Sequence, residues 1–264
     1  MATSVNSITV GTKHTYLAMP FGIIAMNTKK KEIVEIYYIG EEATDQDVIK
    51  VIESGDSLYA FTEDKMYRTS LYDNPADFHF WQASNLPTQH LQNAVSHKGK
   101  IYSLQDDALY RLDGNTWTLV SPETFSWIQS SNGKLFLCNQ YQYLYELTET
   151  NELHGLCDRY HINDAVYTKG EYWLGETNWG LIKLGANGDE FYHPEGPNSN
   201  SGYSMHTAHG RMYSTIGGRW TTEYIRDARI NIFDGTNWFG TDDYTFRSTL
   251  GQRILDPVSI AVSP

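Results

Sequence analysis

Four kinds of side chain in this 264-residue chain are able to do chemistry: histidines, cysteines, paired acids, and aromatic rings set among polar groups. The nine histidines are scattered singly. His206 and His209 form the nearest approach to a pair, and a metal site needs three or four converging donors, so they read as packing or solvent-facing residues. Cys138 and Cys157 lack any C-x-x-C or histidine spacing that would hold zinc. Cys138 follows the apolar run Leu135-Phe136-Leu137 and reads as a small buried filler; spacing leaves a disulfide between the two open. Asp106-Asp107 and Asp242-Asp243 read as turn formers. There is no G-x-S-x-G nucleophile turn, H-E-x-x-H helix, phosphate-binding loop or EF-hand loop. No catalytic residue, metal or cofactor is therefore assigned, and a lyase or glycosidase would need acids converging from distant positions.

The remaining candidates suit recognition. Tyr141, Glu176, Trp179, Arg219, Trp220 and Tyr224 stand in segments rich in turn residues, where an indole or phenol leaves apolar area in water unless it packs or binds. Rings beside carboxylates, amides and a guanidinium fit a sugar or a peptide. The competing reading is that Trp179 and Trp220 pack between neighbouring structural units.

The elements that hold these residues recur. A polar turn followed by an apolar-aromatic pair appears as His14-Thr15-Tyr16-Leu17, Ser57-Leu58-Tyr59-Ala60, Gly99-Lys100-Ile101-Tyr102, Gly133-Lys134-Leu135-Phe136, Gly170-Glu171-Tyr172-Trp173 and Gly210-Arg211-Met212-Tyr213. The anchors Tyr16, Tyr59, Tyr102, Phe136, Trp173 and Tyr213 lie 34 to 43 residues apart, the length of a four-stranded propeller blade. An alternating segment precedes each anchor (strand a; the anchor strand is b) and another follows it (strand c). Asp113-Gly114 and Asp234-Gly235 supply hairpin turns into an outer strand d. Helical periodicity is nearly absent, and 14% aromatic residues suit strands. The expected fold is all-β, a β-propeller of six to seven four-stranded blades forming a single domain over residues 1–264. The loops joining b to c and d to a share one face, where the six candidate residues fall.

A net charge of −12 disfavours nucleic acid, whose affinity comes from Lys and Arg neutralising phosphates. Lys29-Lys30-Lys31 reads as a solvated hairpin turn. No apolar stretch is long enough to span a bilayer. Met1-Ala2-Thr3-Ser4 lacks the features of a leader, so the expectation is either a cytoplasmic protein or a mature chain from which a signal peptide has been removed. Asp256-Pro257-Val258-Ser259-Ile260-Ala261-Val262 reads as the opening strand of a further blade, which suggests a piece of a longer protein.

Two stretches carry a family resemblance. Trp173-Leu174-Gly175-Glu176-Thr177-Asn178-Trp179-Gly180-Leu181 resembles the signature of two-component-regulator propeller repeats, found in extracellular sensor regions of Bacteroidota hybrid histidine kinases. Val5-Asn6-Ser7-Ile8, Tyr16-Leu17-Ala18, Phe21-Gly22-Ile23 and Tyr37-Tyr38-Ile39-Gly40, with Ile254-Leu255-Asp256-Pro257 near the end, resemble the first propeller of PorZ-like proteins. That resemblance implies a surface component of the type IX secretion system, with two propellers and a C-terminal secretion-signal domain, implicated in binding anionic lipopolysaccharide. The expectation is a non-catalytic periplasmic or outer-membrane-surface module. Its partners would be a glycan such as lipopolysaccharide, or secretion-system proteins. The alternatives are an oligosaccharide-sensing domain of a hybrid two-component system and a propeller lyase or glycosidase.

Overall fold

A computed structural model describes residues 4–88, 90–158, 160–192, 196–197, 202–217, 228–240 and 254–262. Within them the chain forms six four-stranded antiparallel sheets, each a meander of consecutive strands, and the fold is a six-bladed β-propeller. Blade 1 holds β1 (Ser7–Val10), β2 (Thr15–Met19), β3 (Gly22–Asn27) and β4 (Glu32–Tyr37). Blade 2 holds β5 (Lys50–Ser54), β6 (Ser57–Phe61), β7 (Lys65–Ser70) and β8 (Gln82–Asn85). Blade 3 holds β9 (Leu91–His97), β10 (Lys100–Gln105), β11 (Ala108–Asp113) and β12 (Thr116–Ser121). Blade 4 holds β13 (Phe125–Ser131), β14 (Lys134–Asn139), β15 (Leu144–Leu147) and β16 (Leu153–Cys157). Blade 5 holds β17 (Ile162–Thr168), β18 (Glu171–Glu176), β19 (Gly180–Lys183) and β20 (Glu190–Tyr192). Blade 6 holds β21 (Ser204–Ala208), β22 (Arg211–Thr215), β23 (Ile230–Phe233) and β24 (Trp238–Gly240). The chain divides into two compact units, Met1–Phe191 and Tyr192–Pro264. No helix among the described residues is long and apolar enough to cross a membrane.

In blades 1 to 4 the anchor strands are buried on both faces, because successive side chains point into the cores on either side of the blade. Leu58 and Ala60 of β6 pack with blade 1, whereas Tyr59 and Phe61 pack with blade 3. The pattern repeats along the unit: Tyr102 faces blade 4, Leu135 and Leu137 face back to blade 3, and Phe136 faces blade 5. The aromatic anchors of blades 1 to 4 thus face forward into the next core, where their large apolar surface is removed from water.

The innermost strand of a blade has an unpaired edge whose carbonyls need partners. The preceding blade supplies them. Ser7 Oγ donates to the Ile49 carbonyl (2.8 Å) and Thr9 Oγ1 to that of Val51 (2.6 Å). Further along, Trp127 Nε1 donates to the Ile162 carbonyl (3.2 Å) and Gln129 Nε2 to that of Ala165 (3.2 Å). Alternating polar residues on the inner strands therefore serve as donors between blades.

The a–b hairpins close through Lys98-Gly99, Asn132-Gly133 and Lys169-Gly170 in the first unit and His209-Gly210 in the second. Both residues of each pair have positive φ, as a type I′ turn requires. This is the physical content of the polar-turn repeat. Lys29, Lys30 and Lys31 sit exposed in the β3–β4 turn, as expected.

Cys138 lies across from Leu144 and Leu144 across from Cys157, so β15 separates the two cysteines. Two strand spacings are about 9.5 Å, beyond the roughly 7 Å Cα limit of a disulfide. Both thiols are free and buried, and burial pushes Cys138 up to about 12.

In the second unit the strand expected at 256–262 does not form. Leu255 makes an isolated bridge, Asp256 turns the chain at φ 45°, and Pro257 has no N–H to give a ladder. Ile254 and Pro257 instead accept from the amides of Ala228 (3.0 Å) and Gly217 (2.9 Å). The backbone of Pro257 approaches Gly217 so closely that a β-carbon there would lie 2.3 Å from its oxygen, and only glycine fits.

Candidate binding face

In the first unit the b–c loops and the d–a loops are tied together by backbone hydrogen bonds. Leu91 N–H donates to Glu63 O (3.1 Å), Asp106 N–H to His90 O (3.1 Å), Phe125 N–H to Asp107 O (2.9 Å), and Thr177 N–H to His161 O (3.1 Å). Asp106 and Asp107 occupy consecutive left-handed positions (φ 45° and 66°) and are turn formers, as read from the sequence. Gln92 locks that turn through both amide ends: its Oε1 accepts from Asp107 N–H (2.8 Å) and its Nε2 donates to the Asp107 carboxylate.

Among the described residues of the first unit's loops, charge on this face has one sign. Glu41, Glu42, Glu63, Asp64, Asp106 and Asp107 stand on these loops, and no described residue of the first unit's b–c and d–a loops is Lys or Arg.

Blade 5 carries the aromatic part of the face. Trp179, in the β18–β19 loop, is 53% exposed, and its ring lies 5.7 Å from that of Phe191 on β20. Phe191 meets Tyr160 of the preceding d–a loop edge-on at 6.0 Å, and the Tyr160 hydroxyl donates to Asp189 Oδ2 (2.8 Å). The three rings form a partly exposed cluster that offers apolar area to a flat ligand face.

Glu176 sits beneath Trp179 and is buried. Its Oε1 accepts from His161 N–H (2.9 Å), and its Oε2 accepts from Asn178 N–H (2.6 Å) and Trp179 N–H. Burial works against ionisation, but these three backbone amides outweigh it and hold the carboxyl below the usual range. Glu176 shapes the loop that presents Trp179 and joins it to the adjoining d–a loop. Tyr141 is 69% exposed on the blade 4 loop, its ring 6.4 Å from that of Tyr143, and the Asn139 side chain accepts both of their amides at 3.0 Å.

The structure thus places Tyr141 and Trp179 on loops of one face and Glu176 at the end of β18 that leads into the Trp179 loop, to whose amides it is bonded. Arg219, Trp220 and Tyr224 lie outside the described residues. Sequence reasoning missed Tyr160 and Phe191. The alternation Glu190-Phe191-Tyr192 marks a short strand, but nothing local reveals that Phe191 reaches a loop of its own blade. Among the described residues no group of three His, Cys, Asp or Glu is placed to hold a metal ion.

Residues 2–82 match the family model of the N-terminal β-propeller domain of PorZ, of the type IX secretion system. A comparison with curated protein sequences returns no match. Among solved structures, PorZ of Porphyromonas gingivalis, described as an essential bacterial surface component of that system, superposes with a TM-score of 0.65 at 20% identity. The superposition covers 90% of this chain and 33% of PorZ, so the chain spans about one third of that protein's length. The extracellular domain of a hybrid two-component system from B. thetaiotaomicron superposes with a TM-score of 0.55 at 13% identity, covering 95% of this chain and 44% of that one. That of a one-component system from the same organism gives 0.55 at 12% identity, covering 84% and 34%. These likenesses establish the shared fold. The chain is a β-propeller similar over residues 2–82 to the N-terminal propeller of PorZ, and similar in fold to the extracellular propellers of Bacteroides sensor proteins.

Proposed function

We propose that this chain is a non-catalytic recognition module, displayed in the periplasm or at the outer-membrane surface, whose loop face binds a surface glycan. The observation that carries the reading is the exposed Trp179–Phe191–Tyr160 cluster, held in place from below by Glu176. Aromatic faces stack on the C–H face of a pyranose, and the neighbouring backbone and amide groups supply orientation. Glu176 is ill suited to act as an acid, since three amides stabilise its ionised form.

The absence of described Lys and Arg from these loops bears on the ligand's charge. A phosphorylated lipopolysaccharide would meet carboxylates, so its binding would rest on stacking and would strengthen as salt screens the repulsion. A specific observation also favours a second occupant: the one-signed acidic loops fit a basic segment of a secretion-system protein, whose binding would weaken with salt. A sensor role, as in the two-component propellers, would use the same face and the same ligand class.

The test is a glycan array that includes neutral oligosaccharides and lipopolysaccharide fragments, run at low and high salt with the wild-type chain and Trp179→Ala. A hit lost in Trp179→Ala supports the glycan reading. A blank array together with salt-sensitive capture of a secretion component moves the assignment to the protein partner. Turnover of any oligosaccharide overturns the non-catalytic reading.

A further inference from the structure

Each blade ends in an outer strand whose far edge has no partner in its sheet. Most of these edges suit water: β8 exposes no large apolar residue, and β12 exposes only Leu119. β4 differs. Five of its six residues are exposed, Ile33 (59%), Val34 (46%) and Ile36 (37%) among them, and Tyr38 (39%) follows just beyond. Exposed aliphatic residues gathered on an open edge are the pattern that accepts another strand.

Charge is divided between the two ends of β4. Lys29, Lys30 and Lys31 form the turn that leads in, and Glu41 and Glu42 stand in the turn that follows. Neither group is neutralised within the described residues, where the one ion pair joins Lys30 to Glu32 across 3.5 Å with both side chains in water. An antiparallel neighbour of the same sequence would set its acidic end beside this basic end and its basic end beside this acidic one.

Symmetry limits the register. A two-fold axis normal to the sheet keeps each side chain on its own side, and facing residues of an antiparallel pair share a side, so one residue of β4 must face its own copy. Glu35 on the axis would oppose two carboxylates. Val34 is the bulged residue, passed over between Ile33 and Glu35 in the pairing with β3, and a bulge on the axis would break the ladder at its centre. Ile36 on the axis leaves the bulge at the margin, faces Glu35 with Tyr37 and Val34 with Tyr38, and brings Lys31 and Lys30 level with Glu41 and Glu42. Tyr37 and Ile39 pack in the core between blades 1 and 2, so Ile36 and Tyr38 lie on the other side of the sheet, where they would meet their copies as an apolar stripe.

We infer that the outer edge of β4 docks a second copy of this chain, the two β4 strands joining antiparallel about a two-fold axis through Ile36. The loop faces of the two copies then point in opposite directions, because antiparallel strands reverse every connection. The shared ladder is short, which puts the contact at the weak end of interface sizes. Its Lys–Glu ends make it weaken as salt rises.

The experiment sediments the full chain to equilibrium from about 1 to 500 µM, the range suited to a small interface. A reversible monomer–dimer equilibrium is expected, favoured by low salt. Ile36→Lys, which sets two ammonium groups on the axis, should stay monomeric with an unchanged melting temperature. Lys31→Glu should weaken the dimer about fivefold, and adding Glu41→Lys to it should restore the affinity, a rescue that a purely structural effect would not give. This pair lies on turns in water and carries the test if Ile36→Lys fails to fold. On mild oxidation Ile36→Cys is expected to link two copies, since facing Cα atoms stand about 4.5–5.5 Å apart. Leu119→Cys, 50% exposed on β12, should not, and the native cysteines are buried. A chain that stays monomeric throughout, a dimer that survives Ile36→Lys, or Ile36→Cys linking no faster than Leu119→Cys would each overturn the assignment.

Discussion

On one face of the unit Met1–Phe191 the hairpins close through tight pairs such as Lys98-Gly99 and Lys169-Gly170, and lysines 13 and 29 to 31 stand in neighbouring turns. On the opposite face the connections vary in length, carry acids and exposed rings, and are tied to one another by backbone amides. Backbone geometry dictates the first set: a two-residue hairpin must adopt left-handed φ, and glycine at its second position satisfies that whatever the protein does. No such rule constrains the second set. Composition there is free to vary. The comparison teaches that the chain spends its regularity on one side and its specificity on the other.

Five substitutions sharpen the contrast. The largest effect belongs to neither face but to the framework between them. Phe136→Ala empties a fully buried anchor position in the core between blades 4 and 5 and should cost about 3–5 kcal/mol, read as a shift in the urea midpoint with an unchanged slope. On the turn face, Gly133→Ala places a β-carbon at φ 79° with only the end of Lys98 nearby. Its cost is therefore conformational, about 1–2 kcal/mol, while Lys98→Gly at the preceding left-handed site is expected to be neutral or stabilising.

On the loop face, Glu176→Gln should have a pH-dependent cost. The folded carboxyl titrates below its unfolded value, so its contribution is fully present above the unfolded pKa and is lost as pH falls through the folded one. The stability gap between wild type and Glu176→Gln, about 1–2 kcal/mol at neutral pH from hydrogen bonds to a charged acceptor, should close during an acid titration; a gap that persists at low pH would mean the amides do not depend on the ionised form. The smallest effect on stability is Trp179→Ala, within about 0.5 kcal/mol for a half-exposed side chain, although the same change should remove glycan binding. A large fall in melting temperature would make Trp179 a packing residue. Both cysteines should resist thiol reagents until the protein unfolds, since burial holds Cys138 in the unreactive thiol form.

The framework was legible in the sequence because its signals are local. Anchors such as Tyr59 and Phe136 sit in short alternating runs bounded by turn residues, and that alternation is what places them in a core. The site was legible in part. Tyr141 and Trp179 are rings in turn-rich segments, and both lie on loops of one face. Phe191 escaped because its approach to Trp179 is set by how strand d lies against its neighbours. Glu176 was read as a ligand group, yet an acid at a strand end looks the same in sequence whether it faces a sugar or folds back onto its own loop's amides. Residues 256–262 do alternate, but Pro257 withholds a donor and Asp256 bends the chain, and together these override the pattern.

Since each of the six sheets is built from four strands in sequence order, its ladders close within its own blade. Hydrogen bonds between blades in the first unit join adjacent repeats, as in the bond from Thr9 to Val51, 42 residues on. Topology of this kind shortens the loops that must close before contacts form, which speeds folding for an all-β protein. It also gives assembly a direction in time: a blade emerging from the ribosome or a translocation pore can complete its own hydrogen bonding first. Within the first unit the next blade then covers the anchor left facing forward, as blade 5 covers Phe136.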